Sequence, residues 1–181
     1  MIKDNGFQIK NLFFQKLESL NYEDKKEILS WRNNEKIRSM MFNNEEISLE
    51  SHLEFINILK TRDDKLYLSV SFKNEKIGVL YYFNLTKASA SWGFYLNPKL
   101  IGSGLGVLLE YFAMFIAFEK MNLSQLFCET LNINKSVLKI HDYFGNSVVS
   151  KNNVFTVHQI SADIFKKNKS KNQLLIKNFF V

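Results

Sequence analysis

Cysteine is almost missing from this chain: Cys128 is the only one in 181 residues, so no intrachain disulfide can form and a reducing compartment is expected. Histidine is nearly as scarce. His52, His141 and His158 are scattered, and with one cysteine they give no metal-ligand spacing, so no metal is expected. No apolar run reaches the 18 residues of a membrane span, and no signal peptide is seen. The most apolar window, Leu105 to Phe118, is interrupted by Glu110 and reads as a buried helix. A cytoplasmic protein without a membrane partner is expected. Net charge is +6, yet the basic residues are dispersed and only Lys166 to Lys171 is dense. No basic stripe interleaves with exposed aromatics, which argues against a nucleic-acid partner.

What remains is a chain long enough to bury a core without disulfide or metal. Phe7 to Leu17 reads as a first strand. Asn21 caps a helix running to about Arg32, with Tyr22, Ile28, Leu29 and Trp31 on one face. Ser48 caps another, Leu49 to about Lys60, on which His52, Phe55, Ile56 and Leu59 share a face. Leu66–Phe72, Ile77–Leu85 and Ala88–Leu96 alternate like a three-strand antiparallel meander. A helix from Leu105 follows, then a strand, Ser124–Thr130. A helix from Lys135 to about Tyr143 closes at Gly145, and a hairpin is expected over 147–155 and 157–165. Helices before and after a meander indicate an α+β domain, a mostly antiparallel central sheet with helices on both faces. Residues 1–166 are read as that domain and 167–181 as a basic, solvated tail.

Chemistry concentrates at Asn97–Gly106. There Gly102, Gly104 and Gly106 alternate between a strand and a helix, next to Ser103, Leu105 and Val107. Glycines let a ligand approach the backbone, and the first-turn amides of a helix lack internal partners, so the turn suits an anion or pyrophosphate. No Lys-Ser/Thr pair follows, which removes a P-loop. Arg32-Asn33, between two helical segments, offers a cationic fork and an amide at a loop; a plain pairing of Arg32 with a nearby carboxylate is the equal alternative. Glu129, near a strand end, is either exposed or turned to a cleft. His52 faces either a pocket or the surface.

This order of elements, the glycine turn and the stretch Asn134 to Gly145 resemble the GNAT family of acetyl-coenzyme A-dependent N-acyltransferases over about residues 7–165. In that family the turn reads Gln or Arg, two residues, Gly, any residue, Gly. Ile101 stands in the Gln/Arg position, and Gly104 and Gly106 in those of the glycines. The resemblance implies acetyl-CoA as cofactor, with its pyrophosphate on the amides around Gly102, Ser103, Gly104, Leu105, Gly106 and Val107. Asn134 matches the family's Asn that contacts the pantetheine or the substrate side, Val137 its Ala, and Gly145 its Gly; Asn146 replaces a Phe. His141 takes the place of the tyrosine that protonates the departing thiolate, a role histidine also suits.

The activity so implied is direct transfer of acetyl to a primary amine, with Glu129 as base and His52 as runner-up. Trp31-Arg32-Asn33, Met40 and His52 are similar to the branch that acts on UDP-linked 4-amino-4,6-dideoxy sugars for pseudaminic acid and flagellin glycosylation. On that likeness Arg32, Asn33, Met40 and His52 bind the sugar nucleotide. A peptide or ribosomal-protein N-terminal acetyltransferase, and a non-catalytic acetyl-CoA binder, are the alternatives. Self-association stays open.

Overall fold

A computed structural model describes Ile2 and residues 4–180. Among the described residues eight strands form one sheet in the order β1-β2-β3-β4-β5-β6-β8-β7. The strands are β1 (Gly6–Ile9), β2 (Leu12–Lys16), β3 (Leu66–Phe72), β4 (Glu75–Phe83), β5 (Ser89–Leu96), β6 (Gln125–Leu131), β7 (Ser147–Lys151) and β8 (Phe155–Ser161). The helices are α1 (Tyr22–Asn33), α2 (Glu35–Arg38), α3 (Leu49–Leu59), α4 (Leu105–Phe115), α5 (Lys135–Phe144), α6 (Ala162–Lys167) and α7 (Lys169–Ile176). A π-helical turn, Ile116–Lys120, continues α4.

The meander is present, and its first turn is tight because Lys73 and Asn74 both take positive φ, as a two-residue hairpin turn requires. The caps are also where the sequence puts them. Asn21 accepts from Asp24 N–H at 2.8 Å, Ser48 accepts from Ser51 N–H at 3.1 Å, and Gly145 ends α5 at φ 87°.

Three expectations need correction. Residues 7–17 are not one strand but the β1–β2 hairpin, turned at Lys10, whose φ is 55°. The last strand stops at Ser161, because that side chain accepts from Ile164 N–H at 3.3 Å and starts α6. The residues read as a solvated tail fold back instead. Ile176 is buried in the main core, and Phe179 and Phe180 meet Phe72 edge-on.

The helices divide between the two faces. On one, α1 and α3 cover Val79, with Ile28, Trp31 and Ile56 filling the layer between. On the other, α4 lays Leu108, Leu109 and Phe112 against Leu68, Leu80 and Tyr82, and Tyr82 donates to the Ala113 carbonyl at 2.6 Å. Such apolar burial is the main stabilising term of the fold.

One feature of the sheet places the site. Every strand pair is antiparallel except β5 and β6, which pair in parallel only from Ser89↔Gln125 to Ser91↔Phe127. Past those residues the two strands separate. Trp92 and Cys128 are the first residues beyond the last pair.

Candidate active site

A cavity of about 900 Å³ passes through this separation. Because side chains alternate along a strand, its two ends have different walls. Toward α4 and α5 it is lined by Trp92, Phe94, Cys128, Thr130 and His141, and by the glycine turn with Val107 and Asn134. On the opposite side of the sheet it meets Tyr67, Tyr81, Phe83, Tyr95 and Glu129, with Lys36, Ile37 and Met40 to Phe42 closing it.

The turn has the shape expected of it. Gly102 and Gly104 take φ of 88° and 83°, and a Cβ at Gly102 would meet nothing within 4 Å, so the backbone is open there. No side chain caps α4 at Gly104. Gly102, Gly104, Gly106 and Val107 line the cavity; Ser103 and Leu105 are not among its lining residues. Ser103 Oγ instead donates to the Leu100 carbonyl at 2.6 Å and accepts from Leu105 N–H at 3.3 Å, while the Leu105 side chain is buried. Asn134 lines the cavity and caps α5, accepting from Val137 N–H at 3.4 Å.

His141 is buried at 2% exposure. Its Nδ1 lies 2.7 Å from Glu110 Oε1, and its Nε2 lies 3.0 Å from Thr130 Oγ1 and 3.5 Å from Cys128 Sγ. Burial alone would strip the ring of its charge. The neighbouring carboxylate of Glu110 more than offsets that, with a smaller push from Cys128, and His141 holds its proton above the ordinary histidine range. Burial lifts the Cys128 thiol, opposed by His141. Cys128, His141 and His158 bring possible metal-ligand atoms within 4.8 Å of one another, a cluster that sequence spacing concealed. Both nitrogens of His141 already have partners, whereas His158 Nδ1 is buried with no partner among the described residues and its ring packs on that of His141 at 5.0 Å.

Glu129 is exposed on β6 and also lines the far end of the cavity, so its two readings are both met. Met40 lines the same end. Arg32 and Asn33 are not lining residues. Arg32 Nη2 donates to the Asn43 carbonyl at 2.6 Å, not to a carboxylate. Asn33 donates to the Ile47 carbonyl at 2.8 Å and accepts from Ile47 N–H at 2.9 Å. Together they anchor the segment that carries Met40, Met41 and Phe42. His52 is away from the cavity altogether. Its Nε2 contacts the Lys25 carbonyl at 3.1 Å, tying α3 to α1, and burial lowers its pKa. Neither a substrate contact nor the alternative base fits that position.

Sequence reasoning overlooked the tyrosines. Tyr67 and Tyr81 stack at 5.1 Å, and Tyr81 occupies the space a side chain at Gly93 would need. Burial raises the pKa of Tyr67, Tyr81 and Tyr95, which stay neutral phenols. Of the three, Tyr81 has a local signal, since β4 carries Tyr81 and Phe83 on one face and Tyr82 on the other. Glu110 was seen only as an interruption.

A sheet split between its one parallel pair, an open glycine turn at the helix that follows, and a cavity crossing from one face to the other define an acyl-CoA-dependent transferase. The acetyltransferase (GNAT) domain family matches residues 16–146, and the chain belongs to that family. It is an acetyl-CoA-dependent N-acetyltransferase.

Among its relatives, acetyltransferase PseH of Campylobacter jejuni (serotype O:2) is 30% identical over 146 residues, 81% of this chain and 85% of that one. The crystal structure of Campylobacter jejuni N-acetyltransferase PseH in complex with acetyl coenzyme A superposes with a TM-score of 0.70 at 23% identity, covering 83% and 98% of the two chains. Spermidine N-acetyltransferase from Vibrio cholerae, in complex with CoA and spermine, gives 0.77 at 17% identity, covering 86% and 98%. Both structural likenesses describe the fold.

The residues present fit the cofactor. The left-handed Gly102 and Gly104, the first of them unobstructed, and the start of α4 without a side-chain cap at Gly104 suit a pyrophosphate, and the cavity leads from them to Thr130 and His141.

Proposed function

We propose that this N-acetyltransferase acetylates the 4-amino group of a UDP-linked 4-amino-4,6-dideoxy sugar, the step of pseudaminic acid supply for flagellin glycosylation. The carrying observation is the acceptor end of the cavity. Tyr67, Tyr81, Phe83, Tyr95 and Phe42 give it broad aromatic faces, Met40 and Met41 a conformable wall, and Lys36 a cation at the rim. Flat apolar faces beside a cation suit a uracil and its diphosphate. A polyamine is the poorer fit, since Glu129 is the single acidic residue among the lining residues, against Lys36 and Lys139. The resemblance of Trp31-Arg32-Asn33 to the sugar branch and the similarity to PseH support the same reading. In place of direct contacts, Arg32 and Asn33 hold the segment that bears Met40.

Acetyl-CoA supplies the acetyl group as a thioester, whose sulfur leaves as a thiolate that needs a proton. Glu129, on the acceptor side, takes a proton from the amine directly or through water. His141, on the cofactor side, holds a proton at the cavity wall. The Gly102 to Val107 turn, in which Ser103, Leu105 and Val107 N–H already donate to the Leu100 carbonyl, Ser103 Oγ and the Gly104 carbonyl, orients the cofactor through its glycine amides, together with the Asn134 side chain. A cytoplasmic location accords with the single free cysteine, and no helix among the described residues is long and apolar enough to cross a membrane.

The test is thiol release from acetyl-CoA against UDP-4-amino-4,6-dideoxy sugars, spermidine and short N-terminal peptides. Turnover of the sugars alone is expected. Turnover of peptides alone moves the enzyme to the N-terminal branch, and binding of acetyl-CoA without any turnover supports a non-catalytic role.

A further inference from the structure

The apolar helix α4 carries one carboxylate into the core, and the reaction as described makes no use of it. Glu110 has no exposed surface. Burying a carboxylate without compensation costs several kcal/mol, so its partners matter. Oε1 takes the 2.7 Å contact from His141 Nδ1 and a longer one, 3.4 Å, from Asn146 Nδ2. Oε2 is buried with no partner among the described residues. The imidazole is therefore the chief compensation for this charge. Asn146 Nδ2 also donates to the His141 carbonyl at 3.0 Å, which steadies the end of α5 against the same carboxylate.

The ring is thus fixed on one side by α4 and turned on the other toward β6. There Nε2 meets Thr130 and Cys128, the strand residues just past the last parallel pair. We propose that Glu110 is a positioning residue for acetyl transfer: by accepting from His141 Nδ1–H it fixes Nε2 as the nitrogen that faces the cavity and gives up a proton there. This rests on the reading that the cavity transfers acetyl from acetyl-CoA, and not on which amine receives it.

The chemistry follows from the donor inventory. An ionised carboxylate only accepts, so Nδ1 carries a hydrogen in either charge state of the ring. The second proton then resides on Nε2. The titratable groups facing the ring are Glu110 from α4, Cys128 from β6 and His158 from β8, whose ring lies 5.0 Å away. From β5 comes Trp92, which carries no charge. Glu110 is the one acid in that set. His158 is held toward its neutral form by burial and by the charge of His141. When Nε2–H passes its proton toward the cavity, directly or through the Thr130 hydroxyl, the ring is left neutral. The proton shed by the attacking amine on the Glu129 side makes up the loss through solvent, so the cycle is balanced.

The experiment compares the wild type with Glu110→Gln and Glu110→Asp by ¹⁵N-histidine NMR and by thiol-release kinetics. Only three histidines need assignment, and His141→Phe identifies the signal. In the wild type His141 is expected to stay doubly protonated above the pH at which the other two have lost their charge. In Glu110→Gln it titrates in the ordinary range or below. Kinetically, kcat of Glu110→Gln falls on the order of a hundredfold with KM for acetyl-CoA little changed, the alkaline limb of the kcat profile moves to lower pH, and Glu110→Asp recovers part of the loss.

A folded Glu110→Gln with unchanged His141 titration overturns the proposal. So does a loss of kcat without movement of the alkaline limb, which marks a packing role only. Should Glu110→Gln not fold, the wild-type spectrum still decides, because a neutral ring protonated on Nε2 is incompatible with the proposal. The NMR measurement needs no acceptor, so a wrong sugar assignment leaves its outcome intact.

Discussion

Glu129 and His141 reach the cavity from opposite faces of the sheet, which separates the place where a proton is taken from the place where one is given. Exchange of Glu129 for Gln keeps its size and removes the base. The expected result is a fall in kcat of roughly two orders of magnitude, with KM for acetyl-CoA unchanged, since Glu129 stands at the acceptor end; equal kcat in Glu129→Gln and wild type would remove it from the mechanism. His52 makes a different prediction. Its folded pKa lies below the unfolded value of 6.5, because burial disfavours the charged ring and Lys25 adds repulsion. A group with a depressed folded pKa contributes stability above its unfolded pKa and loses it as pH falls through that value toward the folded one. Thermal melts should therefore drop as pH falls below about 6.5, and His52→Asn should flatten that slope while activity persists. Single residues were readable from the sequence where a motif gave them an address, as with Asn134, His141 and the glycines. Glu110 had none: a carboxylate inside an apolar helix looks like an interruption until its partner, distant in sequence, is found beside it. The His at the tyrosine position, the Asn at the phenylalanine position and Glu110 are one hydrogen-bonded set, so each departure makes sense only with the others.

At the level of elements, α4 and α5 present the cofactor side, and each begins in a different way. Gly104 opens α4 in a left-handed conformation and leaves its start uncapped for an anion. Asn134 closes the start of α5 with its own side chain, and α5 carries His141 two turns later. Asn134→Ala should cost about 1 kcal/mol of stability, the usual loss for an N-cap. The larger effect is expected in KM for acetyl-CoA, because the same side chain lines the cavity; a melting shift with unchanged KM would make Asn134 a cap and nothing more. Elements were largely legible because caps and period-two alternation are local signals. The exceptions have local causes too. Lys10 turns β1 into β2 without glycine or proline to announce it, and Ser161 ends β8 by capping α6 inside a run that still alternates. The separation of β5 from β6 is implied by the family resemblance and not by either strand alone, since register between strands distant in sequence is set by tertiary packing.

Over the whole molecule, the C-terminal residues decide how firmly the cofactor side is held. Their lysines suggested a solvated segment, but the apolar residues between them follow a face. Ile176 is buried at 2% exposure, Phe180 packs on Phe112, and Lys10 sits 4.4 Å over the Phe180 ring. Lys169 pairs with Glu119 at 3.0 Å, and Lys171 donates to the Tyr143 carbonyl at 3.0 Å, so the charges fasten α7 to the π-helical turn after α4 and to α5 from outside. Exposed pairs of this kind contribute little on their own, and the buried isoleucine carries most of the docking energy. Phe179 also stands 3.6 Å from the position a Cβ would take at Gly104, which links this segment to the turn that seats the pyrophosphate. Ile176→Ala should therefore cost roughly 2–4 kcal/mol, read as a lowered unfolding midpoint in urea, by the cavity it leaves. Lys169→Ala should cost well under half of that. If the segment were a solvated tail, both substitutions would leave the midpoint where it is. If it is part of the core, acetyl-CoA should restore much of the stability lost in Ile176→Ala, because a ligand that binds only the folded chain shifts the equilibrium toward it.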